Sequence, residues 1–235
     1  RKVNGEWKEV SWAEGLAAAA DILKANQGDT LGVLVHPSTS NEEGALLARL
    51  AKGLGSGNID HRINNRDFSD AATAEVFGLP LAEIEGADRI VVLGSNIRHE
   101  LPLLHARLRK AQTQNGAKIH VVNPVDFDFA FSIAGKQIVA PSQFVDALAN
   151  AELRSAVQGG SNTVLIVGAI AENHPQAAAI RAAARDFATA TGARLCRIPQ
   201  GANAVGLTRA GVLPAGRDVA AMLAQPRQAY VVYGL

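Results

Sequence analysis

The sequence predicts an α/β fold with three layers, in which a mostly parallel sheet has helices on both faces. Two stretches, Arg89–Pro124 and Thr163–Pro199, carry this prediction, because each contains an apolar strand, a glycine, a helix and a second strand. This order is typical of the β-α-β unit, whose two strands lie parallel in one sheet. The first strands, Arg89–Leu93 and Thr163–Val167, contain unbroken apolar runs rich in β-branched residues, as in strands buried on both faces.

Apolar residues at helical spacing predict the helix inside each unit. Leu101, Leu104, Leu108 and Ala111 recur every three or four residues, and Asn115-Gly116 then supply a stop signal. In the second unit an Ala-rich helix is expected over residues 175–191, with a proline in its first turn, where proline is favoured. We therefore expect two similar β-α-β units, which indicate architecture and are not by themselves evidence of an active site.

The N-terminal part is predicted to add two helices and a buried strand. Ser11 and Glu14 form a capping-box sequence at the start of the first helix. In the second helix, Leu46, Leu47 and Leu50 are expected to face the core. The predicted elements are an extended arm over residues 1–10 anchored by Trp7, a helix over 11–26, a strand over 31–35, and a helix from about Asn41 that Gly53–Gly57 end.

A Gly- and Ser-rich stretch at Gln158–Asn162 is the one plausible linker. It predicts two α/β subdomains, residues 1–158 and 159–235, with packing as one continuous domain as the alternative. Before it, a loop and an edge strand are expected over 132–141. The chain begins at Arg1 and ends in a strand-like apolar run, so it is expected to be an internal piece of a longer protein.

Composition excludes several function classes. A net charge of +1 and 5% aromatic residues indicate that nucleic acid is not a partner. No window approaches the roughly 20 apolar residues that span a bilayer, so direct membrane insertion is not expected. The single cysteine, Cys196, cannot form an internal disulfide or hold an iron–sulfur cluster, and its apolar surroundings predict a buried, inert thiol.

Gly94, Ser95 and Asn96 are the candidate site residues, because they directly follow the strand at the centre of the predicted sheet. Ligands of parallel sheets lie past the carboxyl ends of the strands. Backbone amides and a helix N-terminus at this place could contact a phosphate or a pterin. The alternative is a plain strand-to-helix turn, which the single glycine and the delay of the helix by Pro102 favour.

Other candidates are weaker. Gly53-x-Gly55-x-Gly57 follows a helix and lacks the third glycine of a dinucleotide-binding loop, so it is interpreted as a helix stop. His99 and His105 are six residues apart with a proline between them and do not share a helix face. Asp126 and Asp128 alternate with apolar residues, which predicts a half-buried strand more than a metal site. No catalytic residue and no metal ligand is assigned.

Several motifs together resemble the molybdopterin oxidoreductase superfamily. Within it, the chain is most similar to the G-subunit family of NADH-quinone oxidoreductase, respiratory complex I. The motifs are Trp12-x-Glu14, Ser40-Asn-Glu-Glu43, Leu54-Gly-Ser-Gly-Asn-Ile-Asp60, Leu93-Gly-Ser-Asn-Ile-Arg-His-Glu100, Pro102-Leu-Leu-His-Ala-Arg-Leu-Arg-Lys110, Pro124-Val-Asp-Phe127 and Gly201-Ala-Asn-Ala-Val-Gly206. The resemblance covers nearly the whole chain and implies a Rossmann-like domain, as in formate dehydrogenases.

The resemblance also implies which cofactors belong to the parent chain. Iron–sulfur clusters are expected in a cysteine-rich part that precedes this domain. In relatives that bear molybdenum, an Asn-x-Asp-like segment is followed by the metal ligand, and here Arg66 lies near that position. A guanidinium has no lone pair for a metal, and Ser69 could substitute only after a shift in register. The molybdopterin is therefore expected to be lost, and this domain to hold no cofactor.

The function implied by the resemblance is a non-catalytic scaffold in the peripheral arm of complex I. Its expected partners are other peripheral-arm subunits, on the cytoplasmic side of the bacterial inner membrane, and a monomer is expected for the isolated chain. Two alternatives stay open. The first is the catalytic core of a molybdopterin-dependent oxidoreductase, and the second is a stand-alone nucleotide-binding module.

Overall fold

The computed structural model describes residues 2–64 and 67–235 and has the predicted α/β architecture, with parallel sheets flanked by helices. Its elements in chain order are β1 (Lys2–Val3), β2 (Glu6–Trp7), α1 (Trp12–Ala25), β3 (Leu31–Val35), α2 (Asn41–Gly53), β4 (Ile59–Asp60), β5 (Arg89–Leu93), α3 (Ile97–Glu100), α4 (Pro102–Asn115), β6 (Lys118–Asn123), β7 (Gly135–Ile138), α5 (Phe144–Ala149), α6 (Ala151–Val157), β8 (Thr163–Val167), α7 (Ala169–Glu172), α8 (Ala177–Thr191), β9 (Arg194–Arg197), α9 (Ala204–Arg209), α10 (Val219–Ala224) and β10 (Ala229–Tyr233). Short 3-10 helices cover Gly28–Thr30, Leu81–Gly86 and Pro141–Gln143.

The chain divides into two units that differ from the sequence-based division at 158/159. The smaller unit combines Arg1–Ile63 with Gly201–Leu235, and the larger unit is Asn64–Gln200. The Gly- and Ser-rich segment Gln158–Asn162 lies inside the larger unit, because β8 pairs along its whole length with β5. This segment therefore connects two elements of one unit.

The sheet of the larger unit is parallel, with the order β7-β6-β5-β8-β9 among the described residues. From β5 the chain proceeds outward through β6 to β7. It then returns through α5 and α6 and starts β8 on the opposite side of β5. The winding thus reverses between β5 and β8, and such a reversal is where open parallel sheets bind their ligands.

Both faces of this sheet bury apolar side chains, because successive residues of a strand point to opposite faces. Ile90 and Val92 of β5 belong to one apolar cluster, which includes Leu104 and Leu108 of α4. Val91 and Leu93 belong to a second cluster, formed with α5 and α8. This arrangement confirms the prediction of helices on both faces.

The smaller unit contains the parallel sheet β10-β3-β4. Leu31, Val33 and Val35 of β3 are fully buried and pack with α2 and α9. The N-terminal arm forms a short antiparallel hairpin, β1 with β2. The prediction that Trp7 anchors this arm is wrong, since 80% of its surface is exposed.

Helix α2 buries fewer of its apolar side chains than the sequence predicted. Its capping box, Ser40 with Glu43, is present, and its buried residues are Gly44, Leu47 and Ala51. These lie three and four positions apart on one face. The prediction that Leu46 and Leu50 face the core is wrong, because the helix turns both toward solvent.

The segment after β6 is irregular, so the strand predicted around Asp126 and Asp128 does not form. Phe129 and Phe131 pack instead against His105 of α4, with ring centroids 6.3 and 5.0 Å from the imidazole. The two phenylalanine rings thus pack against α4.

Candidate functional site

Gly94 lies directly after β5, where the winding of the larger sheet reverses. Its φ is +58°, in the left-handed region that favours glycine. A Cβ here would lie 2.8 Å from both the Cβ and the backbone nitrogen of Ala171. The Gly94 amide donates to the Val122 carbonyl at 2.8 Å, and the Ile170 amide donates to the Gly94 carbonyl at 2.9 Å. Gly94 is thus required for the close approach of β5 to α7.

Ser95 is held by the side chain at the end of the neighbouring strand. Its amide donates to Asn123 Oδ1 at 2.8 Å, and Asn123 Nδ2 donates to the Ser95 carbonyl at 3.1 Å. Both residues are fully buried. This reciprocal pair satisfies the backbone of Ser95, so its N–H group is not free to bind a phosphate.

The hydroxyl of Ser95 is bonded to a carboxylate of the same segment. Ser95 Oγ donates to Glu100 Oε2 at 2.5 Å, and the amide of Ala169, the first residue of α7, donates to Glu100 Oε1 at 2.8 Å. Burial raises the pKa of Glu100 above its ordinary value, and these two hydrogen bonds oppose the rise. Glu100 therefore joins the ends of β5 and β8.

The carboxylate of Glu100 occupies the donors that an anionic ligand would need. A serine hydroxyl and a backbone amide are typical phosphate contacts, and here both point at Glu100. Gly168 faces the same place, and a Cβ on it would lie 2.8 Å from Glu100 Oε2. The described residues at this position do not fit a phosphate, because the carboxyl group of Glu100 already accepts the hydrogen bonds of both donors.

Asn96 ends the candidate segment and starts α3. Its backbone carbonyl accepts from the amides of His99 and Glu100, both at 2.9 Å. Its side-chain Oδ1 is buried and has no hydrogen-bond partner among the described residues. The structure thus brings Gly94, Ser95 and Asn96 to the reversal point, as expected, with Gly94 and Ser95 engaged in internal contacts.

A second carboxylate, Glu172, lies at the end of α7 and is surrounded by cations. Arg197 Nε donates to Glu172 Oε1 at 2.6 Å, and Arg197 Nη2 donates to Oε2 at 3.0 Å. Arg181 Nη1 donates to the same Oε2 at 3.3 Å. Only 1% of the Arg181 side chain and 3% of the Glu172 side chain are exposed. Two guanidinium groups therefore compensate the buried charge.

Arg181 also fixes the loop that contains Asp67 and Asp70. Its Nε and Nη2 donate to the two carboxylate oxygens of Asp70 at 2.9 and 2.6 Å, and Nη2 donates to the Asp67 carbonyl at 2.7 Å. The bond from Arg181 lowers the pKa of Asp70. The Asp67 carboxylate accepts from the Ala178 amide at 2.9 Å, near the start of α8. This loop is therefore tied to α8 through both of its aspartates.

The residues near the expected position of a molybdenum ligand have other roles or lie outside the described part. Arg66 is outside the described residues. The hydroxyl of Ser69 donates to Asp67 Oδ1 at 2.8 Å. Asp60 is fully buried and forms a bidentate pair with Arg62, at 2.8 Å from Nε and 3.0 Å from Nη2. Asp60 and Asp67 are thus used as structural acceptors.

The remaining sequence candidates are structural in the described part of the chain. Asp126 pairs with Lys136 at 2.6 Å, and Asp128 pairs with Arg98 at 2.9 Å. The thiol of Cys196 is buried, as predicted, and burial raises its pKa to about 12, which disfavours the reactive thiolate. Within residues 2–64 and 67–235, no group of three or more His, Cys, Asp and Glu side chains could hold a metal ion. No helix there is long and apolar enough to cross a membrane.

These features are consistent with the sequence comparisons. The family model for molybdopterin oxidoreductase matches residues 1–230. The chain therefore belongs to the molybdopterin oxidoreductase family.

Within this family the chain is similar in sequence to subunits of NADH oxidoreductases and to a candidate formate dehydrogenase. It is 29% identical over 217 residues to the G subunit of NADH-quinone oxidoreductase from Mycobacterium bovis, a match that covers 87% of this chain and 26% of the relative. It is 28% identical over 181 residues to the mitochondrial 78 kDa subunit of NADH-ubiquinone oxidoreductase from Neurospora crassa, covering 74% and 24%. A candidate formate dehydrogenase of Staphylococcus aureus is 31% identical over 131 residues, covering 50% and 13%. The chain spans about a quarter of the length of the first two relatives.

Sequence reasoning placed Gly94, Ser95 and Asn96 after the strand β5 and missed the distant residues that contact this segment. Glu100 stands in the motif Leu93–Glu100, but its partner Ala169 lies 69 positions further along the chain. Arg181 and Asp70 are 111 positions apart. One signal was available for Arg181, since a charged residue on the apolar stripe of a helix is expected to have a buried partner.

Proposed function

We propose that this chain is a non-catalytic, molybdopterin oxidoreductase-like domain of the G subunit of an NADH-quinone oxidoreductase. It scaffolds the peripheral arm of that complex during NADH-to-quinone electron transfer and holds no electron carrier itself. Its partners are the other peripheral-arm subunits, on the cytoplasmic side of a bacterial inner membrane. Iron–sulfur clusters belong to another part of the same parent chain.

The contact of Glu100 with Ser95 and Ala169 carries this proposal. A ligand-binding sheet of this kind presents free donors at the reversal of its winding. Here the donors are engaged by a carboxylate of the same chain, at 2.5 and 2.8 Å. The residues that would hold a pterin phosphate at Gly94–Asn96 instead hold the ends of β5 and β8 together, which supports a structural role for this edge.

The names of the relatives support the assembly part of the proposal. The Mycobacterium bovis and Neurospora crassa relatives are named as subunits of NADH oxidoreductases that use a quinone. Both align with most of this chain. A domain that this much of the chain shares with such subunits is expected to be assembled with partner chains in the same way.

Elemental analysis of the intact parent chain tests the proposal. The chain is purified within its complex from its own host, and iron and molybdenum are measured per chain. We expect iron without molybdenum. Stoichiometric molybdenum would overturn the proposal, and residues 58–70 would then be examined as an active site.

A variant in the assembled complex gives a second test. Glu100→Gln keeps the shape of the side chain and removes its charge. NADH oxidation per complex is expected to stay unchanged, because Glu100 contacts only this chain among the described residues. A loss of turnover in a variant that is still fully assembled would contradict a purely structural role.

A catalytic core of a molybdopterin-dependent oxidoreductase is the second candidate. The candidate formate dehydrogenase of Staphylococcus aureus, 31% identical over half of this chain, favours it. The same metal analysis separates the two functions, since only the second requires molybdenum.

A further inference from the structure

Helix α2 exposes apolar side chains that its sequence pattern would place in a core. Leu46 is 64% exposed and Leu50 is 38% exposed. They are four positions apart, so they lie one turn apart on the same side of the helix. Leu47, on the buried face, is 8% exposed. The outer side of α2 thus carries a pair of neighbouring leucines in contact with solvent, and exposed apolar groups that cluster in this way mark interaction surfaces.

A groove of 590 Å³ lies along the same helix, within the smaller unit. Residues 55–57 and four residues of the segment after α9 also line it, namely Ala210, Gly211, Leu213 and Ala215, whereas Leu46 and Leu50 do not. Most of the residues that line the groove are small or apolar, among them Ala45, Ala48, Ala51, Ile59, Ala210 and Leu213. Small side chains allow the backbone of an incoming segment to approach closely, as in helix-in-groove recognition.

Two cations line the groove without any acidic counterpart. Arg49 and Lys52 are exposed and lie three positions apart on α2. Neither forms an ion pair among the described residues. No Asp or Glu of the described chain lines the groove. On α4, Arg107 and Lys110 share Glu85 as their acidic partner.

We infer that the groove along α2 docks an acidic amphipathic helix of a separate protein chain. The apolar side of that helix covers the small and apolar residues that line the groove. Its carboxylates, spaced three or four residues apart, pair with Arg49 and Lys52. This inference rests on the proposed role as a subunit within a complex, and it adds the surface and the chemistry of the partner.

Charge complementarity determines the choice of occupant. A second copy of this chain would bring an equal pair of cations to the groove if it docked through the same face, and like charges oppose such an interface. A neutral apolar segment would leave Arg49 and Lys52 unpaired at its edge. An acidic helix satisfies both the apolar floor and the two cations.

Site-specific photo-crosslinking in the assembled complex tests the inference. A photoreactive phenylalanine analogue, p-benzoylphenylalanine, replaces Ala45, which is an exposed groove residue. After irradiation the linked segments are identified by mass spectrometry of the complex purified from its host. We expect a link to a different chain, in a helical segment with carboxylates three or four residues apart.

Charge reversal supplies the matched control. Arg49→Glu with Lys52→Glu is expected to lower the crosslink yield about tenfold, because two exposed ion pairs become repulsive. Lys24→Glu with Arg109→Glu changes the net charge equally at exposed positions outside the groove and is expected to leave the yield unchanged. All four side chains are at least partly exposed, so both variants are expected to fold.

Each other outcome overturns the inference. A link only within the same chain would mean that the parent chain covers the groove. A link to another copy would indicate self-association, and no link would mean that the groove is open to solvent in the complex. If the chain does not copurify with other subunits at all, the proposed function fails first, which distinguishes that result from a failure of the docking site alone.

Discussion

Two buried carboxylates stand near the same edge of the larger sheet and are stabilised in different ways. Glu172 lies between Arg181 and Arg197, whose guanidinium nitrogens are 2.6, 3.0 and 3.3 Å from its carboxylate oxygens. Glu100 contacts neutral donors, the Ser95 hydroxyl and the Ala169 amide. One end of the edge is therefore charge-compensated, and the other depends on hydrogen bonds alone.

This difference explains why the pKa of a carboxylate is lowered at one end of the edge and raised at the other. An opposite charge close by favours the ionised form of a carboxylate, whereas burial without a cation favours the protonated form. The Arg181 guanidinium lowers the pKa of Asp70, which shares the cation with Glu172. Burial raises the pKa of Glu100. The cationic cluster thus anchors a loop to α8, whereas Glu100 closes the place where a ligand would bind.

Removal of the shared cation is expected to have the largest effect. Arg181→Met keeps much of the side-chain volume and leaves Glu172 and Asp70 without their common partner. Breaking a buried ion pair by removing one member costs about 3–5 kcal/mol. Urea unfolding should show a decrease of this size in the free energy of unfolding.

Arg185→Met is the matched control on the same helix. The Arg185 side chain is 52% exposed and 3.8 Å from Asp70, so its loss is expected to cost less than about 1 kcal/mol. Equal effects of the two substitutions would show that burial of the cluster does not determine its contribution.

At the other end of the edge, a single added methyl group is expected to disrupt the close approach of Gly94 to α7. Gly94→Ala places a Cβ 2.8 Å from Ala171 at a φ of +58°. Strain of this kind costs on the order of 1–3 kcal/mol. Thermal unfolding should show a lower Tm for this variant.

Gly116→Ala separates the two causes of that loss, which are the positive φ and the close contact of the new Cβ with Ala171. Gly116 has a similar φ of +69°, but nothing lies within 4 Å of the added Cβ. Its substitution is expected to cost only the conformational part, about 1 kcal/mol. If both variants lose the same stability, the contact between Gly94 and α7 contributes nothing.

The charge-compensated end predicts a loss of stability in acid. Asp70→Asn removes a carboxylate whose folded pKa lies below its ordinary value of 3.8, so the stabilisation by Asp70 is present above that value and is lost as pH falls through the lowered pKa. Near neutral pH the variant is expected to be less stable by about 2 kcal/mol. Unfolding free energies from pH 6 to 3 should show this gap closing in acid.

The exposed pair of Asp128 with Arg98 provides the comparison for this titration. The Asp128 side chain is 90% exposed, and Asp128→Asn is expected to change stability little at any pH in that range. A gap for Asp70→Asn that stays constant down to pH 3 would contradict the coupling of Asp70 to Arg181.

Local patterns in the sequence predicted the parts of this fold that depend on neighbouring residues. The strand Arg89–Leu93, the turn at Gly94 and the Ser11–Glu14 capping box each depend on residues within a few positions. Such features follow from side-chain alternation, backbone sterics and short hydrogen bonds. They are visible in a single sequence.

Contacts between distant residues could not be predicted in the same way. The ion pair of Arg181 with Asp70 and the bond from Ala169 to Glu100 join positions 111 and 69 residues apart. Both depend on which strands pair, and β8 lies beside β5 although β6 and β7 come between them in the chain. The pattern of α2 was misleading for a different reason, since Leu46 and Leu50 have the residue type of a core but are exposed to solvent.

Substitution of Glu100 is expected to change the free energy of unfolding least. Its pH dependence distinguishes the two ends of the edge most clearly. The folded pKa of Glu100 is raised above the ordinary 4.5, so its contribution to stability is fully present below pH 4.5 and is lost as pH rises through the raised pKa. Glu100→Gln removes this dependence and is expected to cost about 1 kcal/mol in acid, because the amide nitrogen of the glutamine cannot accept the hydrogen bond that one carboxyl oxygen of Glu100 accepts. As pH rises from 4 to 7, the free energy of unfolding of Glu100→Gln should increase relative to that of the unmodified protein. The trend for Asp70→Asn is expected to have the opposite sign.

The control is Glu152→Gln, at an exposed position of α6, which should show no such trend. A slope of the same sign for Glu100→Gln and Asp70→Asn would mean that Glu100 has a cationic partner in solution, and the contrast between the two ends of the edge would be lost.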